Sequence, residues 1–257
     1  MAPLKIISWN VNGIRAAARK GFLEWLEASG ADIVAVQETK AAPEQLAFDL
    51  RDPPGYYASW CAAQKAGYSG VATFSRQEPL EVRTGLGEPR FDVEGRVLAC
   101  VFPAFIFYNV YFPSGNQGPE RVAYKLDFYR RFLDLIRPQL AMGRSMVVVG
   151  DVNTAFAEID LARPRENVNT SGFMPVERAA LGVFFATGLV DSFRHHNPDT
   201  RKYSWWTMRV DARARNVGWR LDYIFTSPDL AGRILAADTH PEVVGSDHCP
   251  VSLVLDL

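Results

Sequence analysis

Cysteine is scarce in this chain. Only Cys61, Cys100 and Cys249 occur in 257 residues. Their odd number and wide spacing exclude a disulfide framework or a zinc-binding pattern, so buried thiols in a reducing compartment are expected. Net charge is also small: 28 Lys+Arg against 29 Asp+Glu leave −1, so no overall basic field draws the protein to nucleic acid. No apolar stretch nears the ~18 residues of a membrane span. The opening residues lack the basic-then-apolar profile of a secretory signal. No Pro/Gly/Ser-rich linker, low-complexity tract or short-period repeat divides the chain, and residues 1–257 are read as a single domain. What the chain does have is 48% apolar and 12% aromatic residues, ample for a packed core.

The run from Ser145 to Asn153 carries the most information. Val147, Val148 and Val149 are β-branched and consecutive, as in a strand buried on both faces. The run passes through Gly150 into Asp151-Val152-Asn153. A carboxylate at the end of a buried strand is costly to desolvate, and open α/β sheets place their chemistry at the carboxyl ends of strands. On an extended backbone Asp151 and Asn153 point the same way. A carboxylate beside an amide suits a hard cation or a phosphate. Alone, the segment reads equally well as a turn.

Other strand ends shift that balance. Strand-like runs cover 5–11, 32–37, 56–62, 70–75, 96–102, 106–112, 145–150, 221–225 and 251–255. Three amphipathic helices are expected. One spans the stripe Phe22, Leu23, Trp25 and Leu26 before Gly30. A second runs from Pro119 to just before Pro138, and a third covers about 175–187. This mixture predicts two sheets packed together with helices outside. Polar residues end strand after strand: Asn10 and Asn12, Glu38 and Lys40, Tyr111, Asp151 and Asn153, Asp222, and Asp247-His248. Asn10-Val11-Asn12-Gly13 faintly echoes Gly150-Asp151-Val152-Asn153. The set supplies carboxylates for a cation (Glu38, Asp151, Asp247), amides (Asn10, Asn153), a phenol (Tyr111), an imidazole (His248) and a further carboxylate (Asp222). Oxygen-rich donors with little sulfur favour Mg²⁺, with Mn²⁺ the alternative, over zinc. His195 and His196 lack a placed partner and read as structural or surface residues.

Charge is uneven along the chain. Arg201, Lys202, Arg209, Arg213, Arg215 and Arg220 stand against Asp211 alone, interleaved with Trp205, Trp206 and Trp219. Basic residues among aromatics suit a nucleic-acid surface. The competing reading is a solvated loop whose tryptophans tuck into the core.

In this order, these motifs resemble the exonuclease III family of apurinic/apyrimidinic endonucleases. The matching stretches are Ser8–Gly13, Val36–Lys40, Tyr111–Gly115, Gly150–Asn153, Val217–Tyr223 and Gly245–Pro250, and the similarity covers essentially the whole chain. The resemblance implies a four-layer α/β sandwich, two packed mixed β-sheets flanked by helices. It implies a Mg²⁺-dependent DNA repair hydrolase that cuts duplex DNA 5′ to abasic sites and processes 3′ ends. The enzyme would be a monomer acting on double-stranded DNA with abasic sites or blocked 3′ ends. It would be cytoplasmic, of bacterial type and nucleoid-associated.

Carried over residue by residue, the resemblance makes Tyr111, Asp151, Asn153, Asp222, Asp247 and His248 catalytic. Asn10, Glu38, Asp151, Asn153, Asp247 and His248 would lie at the metal. Asn12, Arg15, Lys40, Tyr68, Gln117, Asn167, Thr170, Arg209 and Trp219 would meet DNA. In these roles Asp151 orients or deprotonates the attacking water, His248 donates to a phosphoryl oxygen, and Asp222 fixes the imidazole tautomer. Thr170 stands where relatives often have a second Asn, Gln117 where some have Arg, Arg209 where some have an apolar wedge, and Asn12 where some have Asp. The alternatives are a DNase I-like phosphodiesterase or phosphatase acting on another substrate, and a non-catalytic nucleic-acid-binding relative. The carboxylates and histidine that the latter would lack are all present. If the 201–220 segment meets phosphates, binding to a duplex weakens steeply between ~50 and ~200 mM salt. Fluorescence anisotropy checks this, and an affinity indifferent to salt would place the docking surface elsewhere.

Overall fold

The computed structural model describes residues 3–209 and 211–257; Met1, Ala2 and Val210 lie outside that description. The strands are β1 (Leu4–Asn10), β2 (Ile33–Gln37), β3 (Tyr57–Cys61), β4 (Val71–Ser75), β5 (Glu81–Thr84), β6 (Val97–Val101), β7 (Ile106–Val110), β8 (Met146–Asp151), β9 (Val190–Asp191), β10 (Asp222–Thr226), β11 (Ile234–Thr239) and β12 (Val251–Leu255). They form two six-stranded sheets, ordered β11-β12-β1-β2-β4-β3 and β5-β6-β7-β8-β10-β9. Each sheet has one parallel pair at its centre, β1 with β2 and β7 with β8, and antiparallel pairs outward from it.

Alternation along β8 shows why the architecture has four layers. Val147 and Val149 face the other sheet, packing with Ile6, Ala35, Val71, Leu98, Phe107, Ile224 and Leu253. Met146 and Val148 face outward, onto Phe128, Phe132, Leu133 and Ile136 of the Pro119–Ala141 helix and Phe184 of the Pro175–Ala186 helix. On the far side, Ile7, Trp9, Val34, Val36, Ala72 and Phe74 face out onto Phe22 and Leu26 of the Phe22–Ala28 helix. Two mixed sheets with helices on both outer sides make the four-layer sandwich that the resemblance implied. Polar bonds within one sheet and across to Asn109 of the other are buried between them. Gln37 Nε2 donates to Ser8 Oγ (3.0 Å) and Asn109 Oδ1 (2.7 Å), and Asn109 Nδ2 donates to the Ala72 carbonyl (2.8 Å). These bonds lie one residue before Glu38 and two before Tyr111, so they fix the strand ends from which both side chains emerge.

Some expectations need correction. The long helix continues through Pro138 to Ala141. Pro138 is exposed near the helix C-terminus, where the carbonyl that its missing N–H leaves free, that of the exposed Asp134, is open to solvent. Strands β5, β9 and β11 were not expected. All of β5 is exposed, and it lacks the apolar alternation that reveals a strand. Asp151 and Asn153 do not share an extended backbone: the strand ends at Asp151, and Asn153 is left-handed at φ 55°. Cys100 and Cys249 are buried thiols as expected, while Cys61 is half-buried; all are free.

Gly150 lets β8 reach the site. Its φ is 145°, and a Cβ there would run into the carbonyl oxygen of Val110 on the neighbouring β7. Gly150→Ala should destabilise the fold by about 2 kcal/mol or more, through backbone strain and overpacking together. Urea unfolding measures the loss, and an unchanged midpoint would mean that β7 yields freely.

Candidate active site

Two identical turns begin the site. Where β1 ends, Asn10 Oδ1 accepts from the Asn12 N–H (3.0 Å); where β8 ends, Asp151 Oδ1 accepts from the Asn153 N–H (2.8 Å). Asn12 and Asn153 are both left-handed, φ 48° and 55°, a conformation that asparagine tolerates better than most residues. The faint echo between the two motifs is therefore a repeated local structure. The side chains heading the turns meet across the sheets. Asn10 Nδ2 donates to Asp151 Oδ2 (2.9 Å) and to Glu38 Oε1 (2.9 Å).

Asp151 is buried at the centre of this cluster. Its Oδ2 also accepts from Asn153 Nδ2 (3.2 Å), whose other bond goes to the Phe112 carbonyl (2.9 Å). His248 Nε2 lies 3.8 Å from the same oxygen, and His248 Nδ1 lies 2.8 Å from Asp222 Oδ2. The Trp9 indole N–H donates to the His248 carbonyl (3.2 Å), anchoring the histidine to β1. Burial pushes the Asp151 carboxyl up to about 7; the charge of His248 opposes this, while those of Asp222 and Glu38 add to it. For His248 burial works against the charge, yet Asp222 and Asp151 outweigh it and hold the imidazole up at about 10. The imidazole is thus a cation at neutral pH, with Nδ1–H donated to Asp222 and Nε2–H turned toward Asp151.

Around this core, burial opposes charge on Glu38, but Lys40 (2.8 Å), Asn10 and Tyr111 hold its carboxyl below the usual range. Asp247 accepts from Asn12 Nδ2 (2.9 Å) and from the Trp205 indole (3.1 Å). Burial opposes its charge too, but His248, Asn12 and Trp205 keep its carboxyl low. Burial and the charge of Glu38 push the Tyr111 phenol well above its ordinary range. The Arg96 guanidinium covers the Tyr111 ring at 4.5 Å.

The expected catalytic and metal residues, Asn10, Glu38, Tyr111, Asp151, Asn153, Asp222, Asp247 and His248, therefore form one connected cluster. It opens into a cavity of about 310 Å³ whose walls include Tyr111, Thr170, Trp205, Trp219 and Leu221. The residues expected at DNA are more scattered. Asn12 and Lys40 are bonded to each other inside the cluster. Trp219 and Thr170 line the cavity. Tyr68 stands behind it, its hydroxyl accepting from Arg96 and Arg121 (both 2.9 Å). The Asn167 amide is turned back onto the Arg163 carbonyl (2.8 Å). Arg15, Gln117 and Arg209 are exposed on surrounding loops and a short helix, as are His195 and His196.

The basic segment divides. Arg220 is buried in ion pairs with Asp160 and Asp191 (2.8 Å each), Arg213 is spent on the Ser246, Pro241 and Val243 carbonyls, and Lys202 pairs with Asp238. Arg201, Arg209 and Arg215 remain exposed. Of its tryptophans, Trp206 is buried, while Trp205 and Trp219 wall the cavity. Sequence reasoning gave Trp205 no individual role; its indole bond to Asp247 has no signature in the pattern.

A model of the Endonuclease/Exonuclease/phosphatase family matches residues 7–248. The chain belongs to that family. It is 44% identical over 256 residues to an exodeoxyribonuclease of Bacillus subtilis, covering 99% of this chain and 100% of that one. It is 39% identical over 263 residues to the DNA repair nuclease APEX1 of Danio rerio, covering 99% and 83%. Among solved structures, an AP endonuclease from Archaeoglobus fulgidus superposes with a TM-score of 0.91 at 30% identity, covering 99% and 100%. A 3′-5′ exonuclease from Neisseria meningitidis superposes at 0.92 and 27%, with the same coverage. The resemblance read from the motifs is borne out.

Proton linkage at this site has a definite sign. The folded protein holds a proton on His248 up to about 10 against the ordinary 6.5, and on Asp151 up to about 7 against 3.8. Both contributions are complete below the ordinary values and are lost as pH rises through the folded ones. Without divalent metal, the melting temperature should therefore fall as pH rises from 6.5 toward 10. Asp222→Asn should flatten that fall and lower the His248 titration by about one unit or more. NMR titration of the imidazole reads the shift directly; a variant that titrates like wild type would sever Asp222 from His248.

Proposed function

We infer that this chain is a DNA repair hydrolase of the exonuclease III type, cutting the phosphodiester 5′ to abasic sites in duplex DNA and clearing 3′ ends. The observation that carries the reading is the relay from Asp222 through the His248 cation to Asp151 at the floor of the cavity. The names of the relatives, exodeoxyribonuclease, DNA repair nuclease and AP endonuclease, support the substrate. Residues 1–257 would act as one domain and as a monomer. Among the described residues no helix is long and apolar enough to cross a membrane. A cytoplasmic, nucleoid-associated location is part of the same reading, supported by the bacterial relative.

The residues present fit a divalent cation. Glu38 and Asp151 converge on the Asn10 amide, Asp222 Oδ1 is buried without a partner, and crowded negative charge helps to raise the Asp151 carboxyl. Asp151, Asp222 and His248 also lie within ligand distance of one another. His248 already gives Nδ1 to Asp222 (2.8 Å), so Nε2 is the ring nitrogen it has left to offer. Glu38, with Asp151 and Asp247 nearby, would hold Mg²⁺ or, as the alternative, Mn²⁺. Once bound, the ion would polarise a phosphoryl oxygen and neutralise charge on the leaving group.

This chain's own groups supply the remaining chemistry. A carboxyl whose hold on a proton is strengthened by burial and by the charges of Asp222 and Glu38 suits proton abstraction from water, and Asp151 occupies the floor of the cavity. Asn153 keeps Asp151 oriented through its backbone N–H and its amide. His248 can turn its Nε2–H to a phosphoryl oxygen as negative charge grows there, and Asp222 stabilises the imidazolium. The Tyr111 phenol stays protonated and donates toward the phosphate. Thr170 and Trp219 on the cavity wall would meet DNA, as would the exposed Arg15, Gln117 and Arg209.

A duplex carrying a tetrahydrofuran abasic analogue should be incised with Mg²⁺ and left intact with EDTA. Asp151→Asn should lower kcat by about 100-fold or more while the protein stays folded. Absence of incision at high enzyme concentration would remove the abasic-site reading, and wild-type turnover in Asp151→Asn would remove Asp151 from the chemistry. A 3′-phosphate duplex run in parallel tests end processing.

A further inference from the structure

The Pro119–Ala141 helix buries a lysine that the chemistry above does not use. Beyond Asp151 the chain leaves its sheet, and the next carbonyls lose their ladder partners. Buried side chains replace them: the Tyr129 hydroxyl donates to the Val152 carbonyl (2.6 Å), Lys125 Nζ to that of Asn153 (2.6 Å) and the Tyr223 hydroxyl to that of Thr154 (2.9 Å). Lys125 is fully buried and also donates to Glu177 Oε1 (2.7 Å) on the Pro175–Ala186 helix. Glu177, equally buried, accepts from Ser171 Oγ (2.8 Å), the Gly172 N–H (2.6 Å) and the Met174 N–H (3.2 Å). Gly115 lies alongside and has no room for a side chain: a Cβ there would come within 3.3 Å of Glu177 Oε1 and would run into Ser171 Oγ.

The ion pair is therefore bonded to two of the cavity's loops and lies beside a third. Asn153 belongs to the first, Ser171 and Gly172 to the second, and Gly115, between Ser114 and Asn116, to the third. A buried ion pair is a weak source of stability, because desolvation offsets most of its attraction. What it supplies is direction. An apolar pair of equal volume would fill the space but could not hold the Asn153 carbonyl, and with it the left-handed turn that aims the Asn153 amide at Asp151.

We propose that Lys125 and Glu177 are positioning residues that tie the Asn153 loop to the Ser171–Gly172 loop and hold Asn153 against Asp151; this rests on the phosphodiesterase reading above. Lys125→Met leaves Glu177 unpaired and tests the pair harshly. Lys125→Met/Glu177→Gln leaves no lone charge and keeps an acceptor for the Gly172 and Met174 amides. Lys125→Arg keeps the charge but exchanges a point donor for a planar fork.

Steady-state kinetics on the abasic duplex and backbone amide exchange without metal are measured on each variant, corrected for folded fraction. In the double variant kcat falls about 10- to 100-fold with KM within about twofold, the cost of a small misplacement at the reacting centre. Exchange accelerates at residues 152–154 and stays slow at 172–174. Lys125→Arg recovers part of kcat. Wild-type kcat, or unchanged exchange at 152–154, in Lys125→Met or the double variant, if it folds, overturns the proposal, as does a loss that merely tracks the unfolded fraction or a Lys125→Arg variant no better than Lys125→Met. Inactive wild-type protein instead refutes the phosphodiesterase reading and leaves the exchange measurement to judge the pair.

Discussion

A carboxyl group taken out of water needs donors or a cation within reach, and Asp151 draws its donors from both sheets. Asn10 comes from β1 and Asn153 from just past β8, while His248 precedes β12 and is itself held by Asp222 at the start of β10. The inter-sheet packing of Val149, Ile6 and Leu253 sets how closely these groups approach. Gly150 is required because β8 passes too near β7 for any side chain at that point. Core and site are thus one arrangement: the apolar layers bring the strand ends together, and the polar ends satisfy one another.

The same arrangement explains the unusual protonation. A buried aspartate near 7 and a buried histidine near 10 are each costly alone. Placed together with Asp222 they form a set in which the imidazolium balances part of the negative charge. The remaining deficit of positive charge is what makes a cation a natural occupant. Opposing demands therefore meet here, a base that gives up its proton near neutrality and an acid that keeps one, as active sites commonly require.

Much of this was legible in the sequence, for a physical reason. Strand ends are where backbone ladders stop and side chains must supply polarity, so residues such as Glu38, Asp151 and Asp247 stand out against apolar runs. Two packed sheets with helices outside followed from long strands mixed with amphipathic helices, and the family resemblance implied the four-layer order. What escaped had no local signature. Strand β5 is wholly exposed and β9 is two residues long. Arg220 looks in the sequence like part of a basic surface, yet it is buried between Asp160 and Asp191, partners 60 and 29 residues away. Lys125 and Glu177 lie inside periodic helices, where charged residues ordinarily face water. Only the tertiary structure turns them inward.

The repeated turn at the ends of β1 and β8 makes each sheet depend on the other. The two sheets share one sequence of parallel and antiparallel pairings, and each copy of the turn is headed by an Asx side chain, an amide in Asn10 and a carboxylate in Asp151. Two carboxylates facing each other there would repel, and two amides would have no base between them. Specialisation of one copy as donor is what permits the other to keep its charge. Neither Asn10 nor Asp151 can therefore change its chemistry without disabling its counterpart, and the two halves of the fold are bound at this one contact by mutual dependence.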